Sequence, residues 1–262
     1  MKILLSLIVI LISSFLPGNW KELAPGLEYR VLSVTLPKYD YPIVINAVRL
    51  DPQKWELVFR GISREKDGEM KTTREWCSNY NLTAAINAGM YNDDYRTHTG
   101  YLRDGDHVNS RSGNSYKSLF AFNPEPGHKV PPARIFDLDQ PGVKIDSVLK
   151  DYSTVIQNLR LIKRPGVNVW NQRKELWSEA ALAEDKQGRI IFLFSETPVS
   201  MYDFNQILLK SDLEIVAAQH LDGNAPAQFY LKTGTTEIIL SGDPGFEVPI
   251  PSIIGVRPKT QK

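Results

Sequence analysis

The residues with chemical potential gather in two segments. In "AAQHLDGNAPAQFYL", residues 217–231, an apolar strand-like run is cut by a turn that carries Asp222, and strand residues resume at once. Asp222, Gly223 and Asn224 could form a turn whose successive amides point at a bound anion, because aligned N–H dipoles attract phosphate oxygens. A plain Asp-Gly turn accounts for the same residues. In "AAINAGMYNDDYRTHTGYLRDGDHVN", residues 84–109, Asn87 and Gly89 close an apolar run. A tight turn there would hold the Asn87 amide and the Tyr91 hydroxyl at a rim. The competing reading is an Asn-Gly-type turn followed by a long loop. "RDGD" reads as a hairpin turn with Asp104 and Gly105 as its central pair.

Other chemistries have no support in the sequence. It contains no H-E-x-x-H, no G-x-G-x-x-G opening a helix and no G-x-S-x-G elbow, and Cys77 is its one cysteine. His98, His107, His128 and His220 have no metal-ligand spacing and are expected to be surface or hydrogen-bonded residues. No metal and no cofactor is expected. With a formal net charge of +1 and no block of like charge, no nucleic-acid partner is expected either.

The elements that must position these residues alternate short strands with few helices. Residues 27–36, 43–50 and 55–59 are rich in Val, Ile and aromatics, separated by Pro, Asp and Lys clusters, and predict successive strands with an antiparallel start. Thr72 and Glu75 have capping-box spacing, and Trp76, Cys77 and Tyr80 share a face, so a short helix precedes the "LTAAIN" strand. In "ALAEDKQGRIIFLF", Asp185 to Gly188 separate two strand-like runs, a hairpin signal. Ser200 and Asp203 start a second helix with Met201, Phe204 and Leu208 along one stripe. That helix leads through "SDLEIVAAQH", so Asp222 falls just past the end of a buried strand. The expected class is α+β, with strand-dominated mixed sheets and a few flanking helices.

Length and flanks set the organisation. Residues 19–262 suit one domain. Before them, Lys2 is followed by an apolar run from Ile3 to Leu16 and a Pro17-Gly18 break. This is the pattern of an export signal, too short for an ordinary spanning helix. The expected location is therefore periplasmic or secreted. An uncleaved N-terminal anchor, giving membrane association, is the alternative. A single cysteine permits no internal disulfide, so an exported chain of this kind is held by its core.

"AINAGMY" and "LDGNAPAQFYL", in this order, resemble two motifs of the phosphodiester glycosidase family, which includes bacterial proteins linked to exopolysaccharide. The similarity runs over roughly 43–256 and takes in the hairpin and the "SMYDFNQILL" helix between the motifs. It implies hydrolysis of a sugar-1-phosphodiester or a related cell-envelope saccharide, cut between the anomeric carbon and its substituent. On this resemblance Asp222 is the catalytic carboxylate. Asn87, Gly89, Tyr91, Gly223 and Asn224 are then substrate-binding positions.

The departures from the family pattern are informative. Asn224, Ala225 and Pro226 stand where the family has two glycines and a serine, and Pro226 removes a backbone donor. Glu179 and Ala180 stand where many relatives carry arginine and threonine, which reverses a charge. Glu179 is either a general acid in a modified site or an edge residue of a site that has drifted. Arg173, Arg160 and Arg103 are candidates for the missing cation. A non-catalytic saccharide-binding protein and an envelope assembly protein on the same fold are the alternatives to an enzyme.

Overall fold

In the computed structural model, residues 19–111 and 113–259 are described. The expected export segment, residues 1–18, lies outside them. Among the described residues, seventeen strands alternate with three short helices. In chain order they are β1 (Lys21–Ala24), β2 (Leu27–Val34), β3 (Ile43–Leu50), β4 (Trp55–Gly61), α1 (Thr73–Tyr80), β5 (Ala84–Asn87), β6 (Leu102–Asp104), β7 (His107–Ser110), β8 (Ser118–Pro124) and β9 (Ala133–Asp137). There follow α2 (Ile145–Asp151), β10 (Tyr152–Lys163), β11 (Val167–Asn168), β12 (Trp177–Asp185), β13 (Ile190–Val199), α3 (Met201–Lys210), β14 (Ile215–Gly223), β15 (Gln228–Thr233), β16 (Thr236–Ser241) and β17 (Ser252–Pro258). The fold is strand-dominated, as the sequence predicts.

The strands form two sheets whose pairings are antiparallel. The larger has twelve strands, with the path β1-β2-β3-β13-β12-β14-β10-β6-β7, β8 and β11 paired to β10, and β9 paired to β8. The smaller runs β16-β15-β5-β17-β4. Their facing sides share one core, in which Phe192, Leu182 and Leu221 of the larger sheet meet Ile86, Phe229 and Ile254 of the smaller. The far side of the larger sheet packs on α3 through Ala181, Leu193, Phe204 and Leu208. The far side of the smaller sheet packs on α1 through Ala85, Trp76 and Ile253. Central strands covered on both faces need apolar residues at every position, which explains the unbroken "IIFLF" of β13.

Local signals resolve as the chemistry of each residue requires. Thr72 caps α1, with both arms of the box formed by Glu75, and Ser200 caps α3 by accepting from the Asp203 amide. Three expectations are corrected. β4 does not continue the β2–β3 meander but joins the other sheet beside β17, because its pairing is non-local. Asp104 pairs with His107, so the hairpin's central residues are Gly105 and Asp106, and the positive φ falls on Gly105. Asp185 ends β12 and caps the turn by accepting from the amides of Gln187 and Arg189.

Candidate functional site

β14 is the element that positions Asp222. It lies between β12 and β10 in the larger sheet. Period-two alternation would place His220 and Asp222 on one face. A bulge at Leu221 prevents this: Ala181 pairs with His220, and Ala180 pairs with Asp222. Ala180 and Leu221 belong to the core between the sheets, whereas Ala181 belongs to the core under α3. One inserted residue therefore turns Asp222 toward the space between the sheets and leaves His220 on the other side.

His220 is not alone there. Its Nδ1 lies 2.5 Å from an oxygen of Glu179, and the other Glu179 oxygen accepts from Trp177 Nε1 at 3.2 Å. Glu179 is 1% exposed and His220 4%. Burial by itself would depress the imidazole pKa, but the Glu179 carboxylate, with a smaller contribution from Asp222, raises it above the usual histidine value. The contact with the carboxylate thus favours the protonated form of the ring.

Asp222 is half-buried, and its carboxyl accepts from the Gly223 amide at 2.8 Å. Burial pushes its pKa up to about 6; the His220 charge and the Gly223 amide oppose the rise, and Glu179 adds to it. On the facing side, burial and the nearby Asp222 charge together raise the Tyr91 hydroxyl pKa above its ordinary value. Tyr91 belongs to a closed loop. Its bridge to His98 and the bond from Thr99 N to Met90 O form the neck, and the Asp94 carboxylate accepts from the amides of Arg96 and Thr97 at the tip.

Gly89 fixes how that loop leaves β5. Its φ is +146°, and a Cβ there would overlap Asn158 Oδ1 and the His98 ring. Asn158, on β10 next to β14, donates to Ala88 O at 3.0 Å and so ties the end of β5 to the larger sheet. Gly223 is equally constrained: a Cβ would sit 3.0 Å from both Ser178 O and Trp177 Cδ1.

The predicted residues are thus brought together only in part. Tyr91, Asp222 and Gly223 converge, with Glu179 and His220 behind them. Asn87 and Asp222 lie in different sheets rather than at the end of one. Asn87 pairs with Ile253 on the face toward α1, and its Oδ1 accepts from Gln228 N at 3.4 Å. The turn after β14 is also displaced from its expected place. Asp222 and Gly223 still belong to the strand, and exposed Asn224, with φ +55°, opens a turn closed by Ala227 N to Asn224 O. Two of the candidate cations are committed elsewhere. Arg160 pairs with Asp137 and Asp139, and Arg103 donates to the carbonyls of Leu149 and Tyr152. Arg173 lies over the Trp170 ring. His220 was missed as a site residue because its partner is 41 positions away.

The architecture and site define a two-sheet antiparallel protein with a half-buried carboxylate at a strand end, backed by a buried acid–imidazole pair. The phosphodiester glycosidase family description matches residues 80–257, and the chain belongs to that family. No curated protein matches it by sequence. Among solved structures, it is similar to the catalytic domain of zebrafish N-acetylglucosamine-1-phosphodiester alpha-N-acetylglucosaminidase, auto-inhibited by its pro-peptide. The TM-score is 0.62 at 12% identity, over 93% of this chain and 87% of that one. It is also similar to a hypothetical protein from Synechocystis, with a TM-score of 0.64 at 15% identity, over 92% of this chain and 63% of that one. At these identities the likeness establishes the fold.

Proposed function

We propose that this chain is an exported glycosidase that hydrolyses a sugar-1-phosphodiester or a related cell-envelope saccharide, with Asp222 as the carboxylate at the anomeric carbon. The observation that carries the reading is the Asp222 carboxyl itself, half-buried at a strand end with its pKa raised to about 6. A carboxylate that burial deprives of solvation interacts strongly with an oxocarbenium-like centre, because the developing positive charge compensates for lost hydration. Ionised at neutral pH, it is suited to stabilise or attack that centre, and water completes the reaction. Tyr91, whose hydroxyl feels the Asp222 charge, is the proposed hydrogen-bonding partner of the sugar. The Glu179–His220 pair lies behind the reacting group and sets its field. Export follows from the N-terminal segment, residues 1–18.

A non-catalytic saccharide-binding role is the second reading. It is favoured by one feature: Glu179, at the position where many relatives carry arginine, is buried against His220 instead of facing a ligand. Incubating the purified domain with a panel of sugar-1-phosphodiesters and glycosides, with release of free sugar as the readout, separates the two. Turnover supports the enzyme, and binding without turnover supports the second reading.

A further inference from the structure

We infer that the site is built for a saccharide with an uncharged leaving group rather than for a phosphodiester; this rests on the glycosidase reading above and narrows its substrate. A phosphodiester at the anomeric position carries a negative charge that needs amide donors or a cation beside it. The stretch after Asp222 supplies few free donors. The Gly223 amide is held by the carboxylate of Asp222, and Pro226 has no N–H. Ala227 N donates to Asn224 O, and Gln228 N to Asn87 Oδ1. Four of the six positions from 223 to 228 are thereby closed to an anion.

The charges point the same way. Among the described residues, the charged groups acting on the Asp222 carboxylate are His220 and Glu179. The one imidazole, 2.5 Å from Glu179, can offset at most one of the two carboxylates, so the cluster keeps at least one uncompensated negative charge once Asp222 ionises. Of the three candidate cations, Arg160 and Arg103 are turned to other partners, and exposed Arg173 lies over the Trp170 ring. An anionic leaving group would therefore meet like charge without a clamp, whereas a neutral glycoside meets none.

The test uses the wild-type chain. Rates are measured on 4-nitrophenyl glycosides of glucose, galactose, mannose and N-acetylglucosamine in both anomers, and on methyl 1-phosphodiesters of the same sugars. A kcat/KM at least ten-fold higher for a neutral glycoside than for its phosphodiester is expected. Equal or better turnover of a phosphodiester overturns the inference while leaving the glycosidase reading intact. If neither class is turned over, the glycosidase reading fails, and calorimetry with methyl glycosides and sugar 1-phosphates decides the charge preference. Tighter binding of the neutral sugar then supports the inference, and tighter binding of the phosphate, or binding of neither, overturns it.

Discussion

His220 and Glu179 meet at 2.5 Å across adjacent strands β14 and β12, and both are almost fully buried. The pair accounts for Glu179, which the family resemblance sets where arginine is expected. The acid is not a free group in the cleft but is buried in contact with an imidazole that stands two residues before Asp222.

Breaking that pair should be costly, because the buried imidazole left behind must either carry an unpaired charge or give up its proton, and Glu179 leaves a cavity in a packed site. Glu179→Ala is expected to lose roughly 3–5 kcal/mol of stability, measured by urea unfolding. Glu179→Gln keeps a hydrogen-bonding group and should lose less. In Glu179→Gln the His220 pKa, followed by NMR, should fall, since the raising influence goes and the depressing effect of burial remains. Because the folded His220 pKa is raised above 6.5, its contribution to stability is complete below that pH. It should be lost as pH rises through the folded value.

Asp222 adds a loss in the same direction, at lower pH. Between its ordinary 3.8 and about 6, the folded protein holds a proton that the unfolded chain has released. Stability should therefore fall as pH rises through that window, by an amount on the order of 3 kcal/mol. Asp222→Asn should abolish this slope. At pH 7 it should raise the melting temperature, by about 2–4 °C for each kcal/mol of charge burial removed. If the carboxylate acts at the anomeric centre, hydrolysis should fall by orders of magnitude in the same variant. Activity near the wild-type level would assign Asp222 to the strand end alone.

The pH profile of the wild-type enzyme gives an independent measure. Turnover through an ionised Asp222 should rise as pH increases through about 6, and kcat/KM against pH reports this in the free enzyme. Tyr91→Phe should leave that midpoint near its place and lower kcat/KM by about ten-fold, the cost of one hydrogen bond to substrate.

Gly89→Ala tests the junction between the sheets. The new Cβ would overlap Asn158 Oδ1 and the His98 ring at a φ of +146°, so either the loop moves or the Asn158 to Ala88 bond breaks. A loss of about 1–3 kcal/mol is expected, together with reduced activity, because the same loop presents Tyr91. Thermal melts and the glycoside assay read the two effects separately.

Removing residues 1–18 should leave a soluble domain that melts cooperatively. The described fold begins with β1 at Lys21. Failure of the truncated chain to fold would assign the segment to the core.

What the sequence determined by itself is the part of the structure set by near neighbours. The caps at Thr72 and Ser200, the apolar run of β13 and the positive-φ glycine at 105 depend on contacts within a few residues, so residue type and spacing announce them. The family motifs likewise marked Asp222 and the exit from β5, because both ends of that comparison are local strings. The tertiary structure decided what depends on pairing across long stretches of chain. It sent β4 to the smaller sheet and turned Asn87 toward α1. It also placed Glu179 against His220, 41 residues away. The bulge at Leu221 is the clearest case. Alternation along "QHLDG" puts His220 and Asp222 on one face, and only the register against β12, fixed by packing on both sides of the sheet, inserts the residue that separates them.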